Sequence, residues 1–475
     1  MAEKSNRIYL LEEAGVASAL LKLGIPTMVG MLISALYNAI DAYFVGGLGM
    51  SQMGAVSVVF PIVQIIIGLG MMFGAGASSY ISRLLGKGDN EQANKTASTS
   101  LFSGLLVGAI IIIGIMIFLD PVLTTLGSTE TILPYARAYA KIYVTGSIIN
   151  VFAVMMNNLL TAQGATKFTM IAMLTGSIAN VILDPIMIYE MDLGIEGAAI
   201  ATVISLCINM ALYIGYIVKK KGVLRFSVKN IAPSKTIYAE VLKIGIPVLL
   251  FQLLASASMG SINNASKSYG DYAVAAMGAV TRIMTVVTYV VFGFLKGFQP
   301  FAGYNYGAKK FDRLQKSIKL CMAWSTVFGV IAAIILVVFA NPIVSLFGTD
   351  TEMIDLAGKA LRLNAILFIT FGFQMVYATL YLAIGKSLVG SVLSLSRQGI
   401  FFFPLVFILP RLFGLTGVIW VQPMADFFTT MITTIFAIKI NHIFSISQEV
   451  WTVKSFIKKN NPFMAICGIF KLQHC

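Results

Sequence analysis

The segment LLKLGIP at residues 20–26 occurs again as VLKIGIP at residues 241–247, which lies 221 residues further along the chain. Other segments return at the same displacement. They are LLGKGDNEQANK (84–95) with NYGAKKFDRLQK (305–316), DPVLTTLGSTE (120–130) with NPIVSLFGTDT (341–351), and AQG (162–164) with AIG (383–385). One displacement shared by four pairs of segments predicts an internal duplication of about half the chain.

The composition predicts that the duplicated unit folds in a membrane. Hydrophobic residues make up 58% of the 475 residues and charged residues only 11%, whereas soluble domains carry about 25% charge. The apolar residues form runs long enough to cross a hydrocarbon layer of roughly 30 Å, and the period-2 alternation of barrel strands is absent. Twelve helical spans are predicted, near residues 18–45, 54–82, 97–119, 139–162, 168–190, 197–218, 241–264, 273–300, 318–340, 361–384, 388–410 and 416–439.

The duplication also predicts how these spans are arranged. Six spans, an even number, separate equivalent points of the repeat, so the two halves should have the same orientation and be related by an axis along the membrane normal. We therefore expect an all-α membrane protein with about twelve transmembrane helices in two six-helix bundles. The expected division is an N-lobe at 1–218, a cytoplasmic basic linker at 219–240, a C-lobe at 241–440 and a cytoplasmic tail at 441–475, with a cavity between the lobes.

Charge and cysteine content bear on the orientation of the chain in the membrane, on its partners and on the state of its thiols. Most Lys and Arg residues fall in the loops on one side of the predicted spans, and cytoplasmic loops are the ones enriched in these residues, so both termini are expected to be cytoplasmic. The net charge of +14 is spread over these loops, which argues against a nucleic-acid partner. The four cysteines contain no CxxC pair and predict free thiols. The N-terminus lacks the features of a signal peptide, so the first span is expected to remain.

Two acidic residues, Asp41 and Asp184, lie within predicted spans, where an ionised carboxylate is costly and usually functional. Both are expected at one depth, in the outer half of spans one and five. Asn180 precedes Asp184 by four residues and therefore shares its helix face. Ala198 and Thr202, also four residues apart, occupy the first turns of span six at a similar depth.

These groups predict a cation-coupling site. Pro185 has no N–H, so the carbonyl of Val181 loses its helical partner, and in lipid a cation or a hydroxyl would replace it. The cluster offers hard oxygen ligands suited to Na⁺, and two adjacent carboxylates could equally hold H⁺. The residues concerned are Asp41, Asn180, Asp184, Ala198 and Thr202, with Na⁺ possible at all of them except Ala198. The alternative is that both acids cap helix ends or bind buried side chains.

A third acid within a span, Asp426, has two interpretations. It could face the cavity and attract cationic substrates, or it could form a structural ion pair with Arg397 or Lys296. Met and aromatic side chains suit a cavity that accepts many shapes. The side chains predicted to line it are Tyr37, Asn38, Phe60, Gln64 and Met173, together with Asp426 under the first interpretation.

Several motifs occur together and in a fixed order. They are YNAIDAYFVGGLG (37–49), MGAVSVVFPI (53–62), GAGASSYISRLLGKGD (74–89), NVILDPIMIY (180–189), LGIEGAAIATVIS (193–205), FQPFAGYNYGAKK (298–310) and LSRQGIFFFPL (395–405). Through them, residues 15–440 resemble the MATE (multidrug and toxic compound extrusion) family, in its MepA-like bacterial branch. The resemblance implies a V-shaped 6+6 helix fold. It also implies that Asp41, Asn180, Asp184 and Thr202 form an N-lobe cation site.

The second half carries no copy of this cluster, because the repeat places Ile262 opposite Asp41 and Leu405 opposite Asp184. Some members of the family have a second cation site with acids in spans seven and ten. Span seven of this chain has Gln252 and no acid, and span ten has Gln374 and Tyr377. A C-lobe Na⁺ mechanism is therefore not expected.

The resemblance implies an H⁺- or Na⁺-coupled antiporter that exports amphipathic, often cationic organic compounds from bacteria across the cytoplasmic membrane. No cofactor is expected beyond the transported counter-ion, and the expected partners are small organic substrates and membrane lipid, with the chain acting as a monomer. An intramembrane enzyme would need a clustered nucleophile, metal ligands or paired catalytic acids at a water interface, and an enzyme is not expected. The only histidines, His442 and His474, lie outside the spans, so a histidine-based metal site is not expected either. The alternative is a flippase of a lipid-linked precursor, a class that usually places more arginines in its cavity than this sequence offers.

Overall fold

The computed structural model describes the backbone of residues 2–219, 222–348 and 350–460 and the side chains of residues 7–219, 222–348 and 350–444. Every regular element in these ranges is helical. The helices of the first half are α1 (Ala2–Glu12), α2 (Val16–Gly46), α3 (Met50–Lys87), α4 (Asn90–Ile117), α5 (Leu119–Thr125), α6 (Leu133–Ala162), α7 (Thr166–Pro185) and α8 (Gly194–Val218). Those of the second half are α9 (Lys235–Lys267), α10 (Asp271–Gly307), α11 (Phe311–Val338), α12 (Ala340–Val344), α13 (Thr351–Phe368), α14 (Phe371–Ala383), α15 (Ser387–Leu395) and α16 (Phe402–Asn460).

By length and hydropathy, these helices provide twelve candidate membrane spans within the described residues, if the last apolar stretch is divided at Gly414. Nine helices are each long and apolar enough to cross a membrane, and α13 with α14 forms a tenth span that is bent by 51°. The last apolar stretch, Ser387–Phe444, has 58 residues and at ~1.5 Å per residue is far longer than a membrane is thick. Gly414 breaks it with φ 59° and ψ −140°, a backbone conformation that glycine adopts easily. One candidate span therefore lies on each side of Gly414. The predicted all-α fold is confirmed.

The final helix continues past the predicted end of span twelve. It reaches Asn460, so the first part of the predicted tail is helical backbone. Residues 461–475, which include His474 and two of the cysteines, lie outside the described residues.

The basic linker is hydrogen-bonded to the first half. The backbone N–H groups of Val223 and Leu224 donate to Oε1 of Gln163 at the end of α6, at 2.6 and 3.0 Å. The N–H of Arg225 donates to Oδ1 of Asn94 at 2.7 Å. Because these bonds satisfy backbone groups that no helix pairs, residues 223–225 are ordered against the first bundle.

The two halves meet where α3 crosses α10. A methyl group built on Gly86 would overlap the carbonyl oxygen of Tyr304, and one built on Gly307 would overlap the carbonyl oxygen of Arg83. Gly86 and Gly307 are 221 residues apart, and so are Arg83 and Tyr304. The contact is therefore the same on both sides of an approximate two-fold axis, and it requires glycine because the backbones touch.

Gly307→Ala is expected to lower the free energy of unfolding by about 1–3 kcal/mol, because the new methyl group must push one backbone away from the other. Gly278→Ala, on the same helix, is the control, since a methyl group there meets no atom within 4 Å. Thermal unfolding of the purified protein in detergent would compare them. Equal melting temperatures for the two variants would contradict this account of the crossing.

The N-terminal helix joins the same end of the molecule to the second half. The Glu12 carboxylate binds Nζ of Lys310 at 3.0 Å and accepts from the hydroxyl of Tyr304 at 3.1 Å. The hydrogen bond from Lys310 lowers the pKa of the Glu12 carboxyl below its usual value. Nη2 of Arg313 donates to the carbonyl of Ala14 at 2.8 Å. The end of the protein that carries the N-terminus is thus held closed across the two halves.

Candidate functional site

The predicted cation cluster lies near the opposite end of α2. Asp41 is in the last two turns of that helix, and Asp184 is at the end of α7, directly before Pro185. After Pro185 the helix widens into a π-turn, Ile186–Glu190. Thr202 enters from the first turns of α8. Since α2 packs against α7 and α7 against α8, the fold brings these elements to one place, as the depth argument predicted.

A short hydrogen-bond chain connects the polar side chains. Nδ2 of Asn180 donates to Oδ1 of Asp184 at 3.1 Å and approaches the hydroxyl of Thr202 at 3.5 Å. The Thr202 hydroxyl donates in turn to the carbonyl of Ala198 at 3.0 Å. Each of the two predicted i, i+4 pairs therefore lies on one helix face and is joined by a hydrogen bond. Ala198 itself contributes only its carbonyl.

Three oxygens of the cluster have no hydrogen-bond donor. They are Oδ1 of Asp41, Oδ1 of Asn180 and Oδ2 of Asp184, and each atom is buried. Asp184 is fully buried, and its carboxyl group interacts directly with that of Asp41. A buried acceptor without a donor typically destabilises a protein by about 1–3 kcal/mol, and more when it is charged. Three such oxygens on neighbouring side chains are the arrangement that a bound proton or small cation would satisfy.

Two tyrosines that the sequence analysis did not single out complete the surroundings. The rings of Tyr139 and Tyr143 on α6 stack with centroids 6.0 Å apart and an interplanar angle of 7°. Tyr139 lies near both Asp41 and Asp184. The signal was present, since the two tyrosines are i, i+4 in the first turn of the predicted fourth span, at the depth already assigned to the acids.

The predicted cavity-lining residues fall into different environments. Tyr37 lies near Asp41, Asp184 and, across the halves, Tyr289. Nε2 of Gln64 approaches the hydroxyl of Ser256 in the second half at 3.3 Å. Both residues therefore face the region between the halves.

The other three are placed differently. Met173 packs against Gly30 of α2, inside the first half. Asn38 is exposed and donates to the carbonyl of Ser34 at 2.7 Å. Phe60 is also exposed, at 46% of its surface. A role for any of these side chains in substrate binding stays a prediction.

Asp426 is part of a buried ion pair. Its Oδ1 accepts from Nε of Arg397 at 2.7 Å and from Nε2 of Gln422 at 2.9 Å. The Arg397 guanidinium also lies over the ring of Phe371, 4.6 Å from its centroid. Of the two possible basic partners, the structure therefore pairs Asp426 with Arg397. Lys296 instead contacts the first half.

Known proteins resemble this chain in sequence and in fold. The family model described as MatE matches residues 26–186 and 247–408, one match in each half, and the two matches begin 221 residues apart. The chain belongs to the MatE family. The resemblance inferred from the motifs is thereby confirmed, and the chain is a multi-pass MATE multidrug efflux transporter.

Similar MATE proteins include the multidrug export protein MepA of Staphylococcus haemolyticus and of Staphylococcus aureus strain MSSA476. Each is 31% identical over 424 residues, which cover 89% of this chain and 93% and 94% of the two relatives. A solved outward-facing multidrug resistance MATE family transporter of the MOP superfamily superposes with a TM-score of 0.87 at 26% identity, covering 93% of this chain and 98% of that one. These relatives are transporters, which points away from an enzyme and does not favour the flippase alternative.

Proposed function

We propose that this transporter is a cation-coupled antiporter, which exports amphipathic, often cationic organic compounds by alternating access. The observation that carries the proposal is the set of unpaired buried oxygens on Asp41, Asn180 and Asp184. In the proposed orientation both termini are cytoplasmic, so the cluster opens toward the outside of the bacterial cytoplasmic membrane. H⁺ or Na⁺ is the transported counter-ion, no cofactor takes part, and the chain acts as a monomer.

The chemistry of the cluster suits either ion. Carboxylate and amide oxygens are the ligands that hard cations take in proteins. A proton can be shared by two carboxyl groups in direct contact, and such a pair titrates as one unit. In both cases the bound cation is the partner that the buried oxygens otherwise lack. Its binding therefore stabilises the conformation in which Asp41 and Asp184 meet.

Helix α2 connects this cluster to the second half. Its far end packs on α10, where Gly24 lies against the ring of Phe294 and Gly293 lies against the backbone of Met28. Pro26 lies within the same stretch, where its missing N–H weakens the helix. A cation that repositions one end of α2 therefore acts on a contact between the halves. Coupling follows when the cation and the substrate stabilise different conformations.

The direct test is ethidium efflux by the purified protein in proteoliposomes, with an imposed Na⁺ or pH gradient. Transport should depend on one of the two gradients, and that gradient identifies the ion. Efflux at the same rate with both gradients absent would refute cation coupling while leaving the multidrug exporter intact.

Thr202→Val is expected to distinguish Na⁺ coupling from H⁺ coupling by its effect on efflux. Valine keeps the shape of threonine but removes an oxygen ligand. If Na⁺ is the coupling ion, efflux by the variant should fall at least about tenfold, and if H⁺ is the coupling ion, which needs only the carboxylates, efflux should stay within about threefold of wild type. Thr175→Val on α7 is the control, because its hydroxyl donates to the Ile171 carbonyl of its own helix. A Thr202→Val protein that transports normally in an Na⁺ gradient would remove Thr202 from the site.

A further inference from the structure

Lys296 is a basic residue of the second half that reaches into the first. It lies on α10, and its Nζ donates to Oδ1 of Asn157 on α6 at 2.6 Å. Nδ2 of Asn157 donates in turn to the hydroxyl of Tyr213 on α8, at 3.3 Å. The lysine is therefore held at the junction of the two halves by a neutral amide.

The charge of Lys296 is not matched within the described side chains. Arg397, the basic residue at comparable depth in the second half, has Asp426 at 2.7 Å. No described acidic residue forms a comparable ion pair with Lys296, whose described polar partner is Asn157. An ammonium group has three N–H donors, and this bond uses one of them. A cation in a membrane interior usually has a counter-charge or faces a pathway for a charged substrate.

The position of Lys296 favours the substrate pathway. The adjacent residues Leu295 and Gly297 are buried, whereas Lys296 remains partly accessible. Tyr289 lies seven residues earlier on the same face of α10 and is near Tyr37 across the halves. The ammonium group is therefore below Tyr37 and Tyr289 in the region where the halves meet.

We propose that Lys296 and Asn157 form a subsite for an anionic group, so that the substrates of this transporter include amphipathic organic compounds bearing a carboxylate. The inference deepens the proposed function, since it assigns a substrate class to the same inter-lobe cavity. A carboxylate would accept from the two remaining N–H donors of Lys296 and from the amide of Asn157. Charge-assisted bonds of this kind are stronger than neutral ones.

Equilibrium binding to the purified full-length protein in detergent tests the subsite, with carboxyfluorescein as the anionic probe and ethidium as the cationic one. Lys296→Gln should weaken carboxyfluorescein binding at least about tenfold, and Lys296→Arg should keep it within about threefold of wild type. Ethidium binding should be unchanged or stronger in Lys296→Gln. Lys141→Gln, an exposed lysine of α6, is the control and should bind both probes as wild type does.

Asn157→Asp is a second test of the subsite. It keeps Lys296 and the size of the Asn157 side chain but supplies an internal carboxylate, which should compete with the probe and lower its affinity to the level of Lys296→Gln. The inference is overturned if wild type does not bind carboxyfluorescein, if Asn157→Asp and Lys296→Gln bind it as wild type does, or if Lys296→Gln loses both probes equally. Because no ion gradient is applied, a failure of cation coupling would leave these results unaffected.

Discussion

Asp184→Asn is expected to reduce gradient-driven ethidium efflux to the rate of protein-free vesicles. An amide cannot take up a proton, and it does not carry the negative charge that attracts Na⁺ into a site of low dielectric constant. Asparagine keeps the oxygen that accepts from Asn180 at 3.1 Å, so the local packing should survive. Ethidium binding at equilibrium should therefore persist while coupled transport is lost.

Asp41→Asn should have the same effect, because each carboxyl group interacts with the other. Asp192→Asn is the matched control: Asp192 is exposed in the turn between α7 and α8 and has a φ of 52°, which asparagine tolerates. If both cluster variants are produced normally and export at the wild-type rate in either gradient, the cluster has a structural role.

Asp426→Leu is expected to destabilise the protein by about 3–5 kcal/mol, because it leaves the Arg397 charge buried without its partner. The double variant Asp426→Leu with Arg397→Met should recover most of this loss, since both charges are then gone. The comparison is thermal unfolding of the purified protein in detergent. The exposed pair of Arg137 and Asp120, at 2.7 Å, is the control, and Asp120→Asn there should change stability by about 1 kcal/mol or less.

The same variants decide between the two interpretations of Asp426. A double variant that exports ethidium at the wild-type rate would show that Asp426 is structural, whereas a stable double variant that loses ethidium binding would assign it to the substrate site. A double variant as unstable as Asp426→Leu alone would contradict the ion-pair account.

The fold was predictable because its signals are local or repeated. Span length follows from the thickness of the bilayer, and the 221-residue displacement reappears in the structure at Gly86 and Gly307. The position of Asp41 opposite Asp184 followed from counting residues along spans of expected direction. Counting gives depth but not the angle around the bundle, so it did not choose between Arg397 and Lys296 as the partner of Asp426. The 51° bend between α13 and α14 was not predicted either, although Gly372 lies in the first turn of α14.

The paired crossing of α3 and α10 has a consequence for how this end of the protein can open. Both contacts are backbone against backbone and lie symmetrically about one axis, so neither can be released by rotating a side chain. A separation of the halves at this end breaks the neighbouring Gly86 and Gly307 contacts, together with the bonds of Glu12. Partial opening would lose the packing at both contacts and gain no new contact. The gate at this end should therefore behave as an all-or-none device, with two populated positions and no stable intermediate between them.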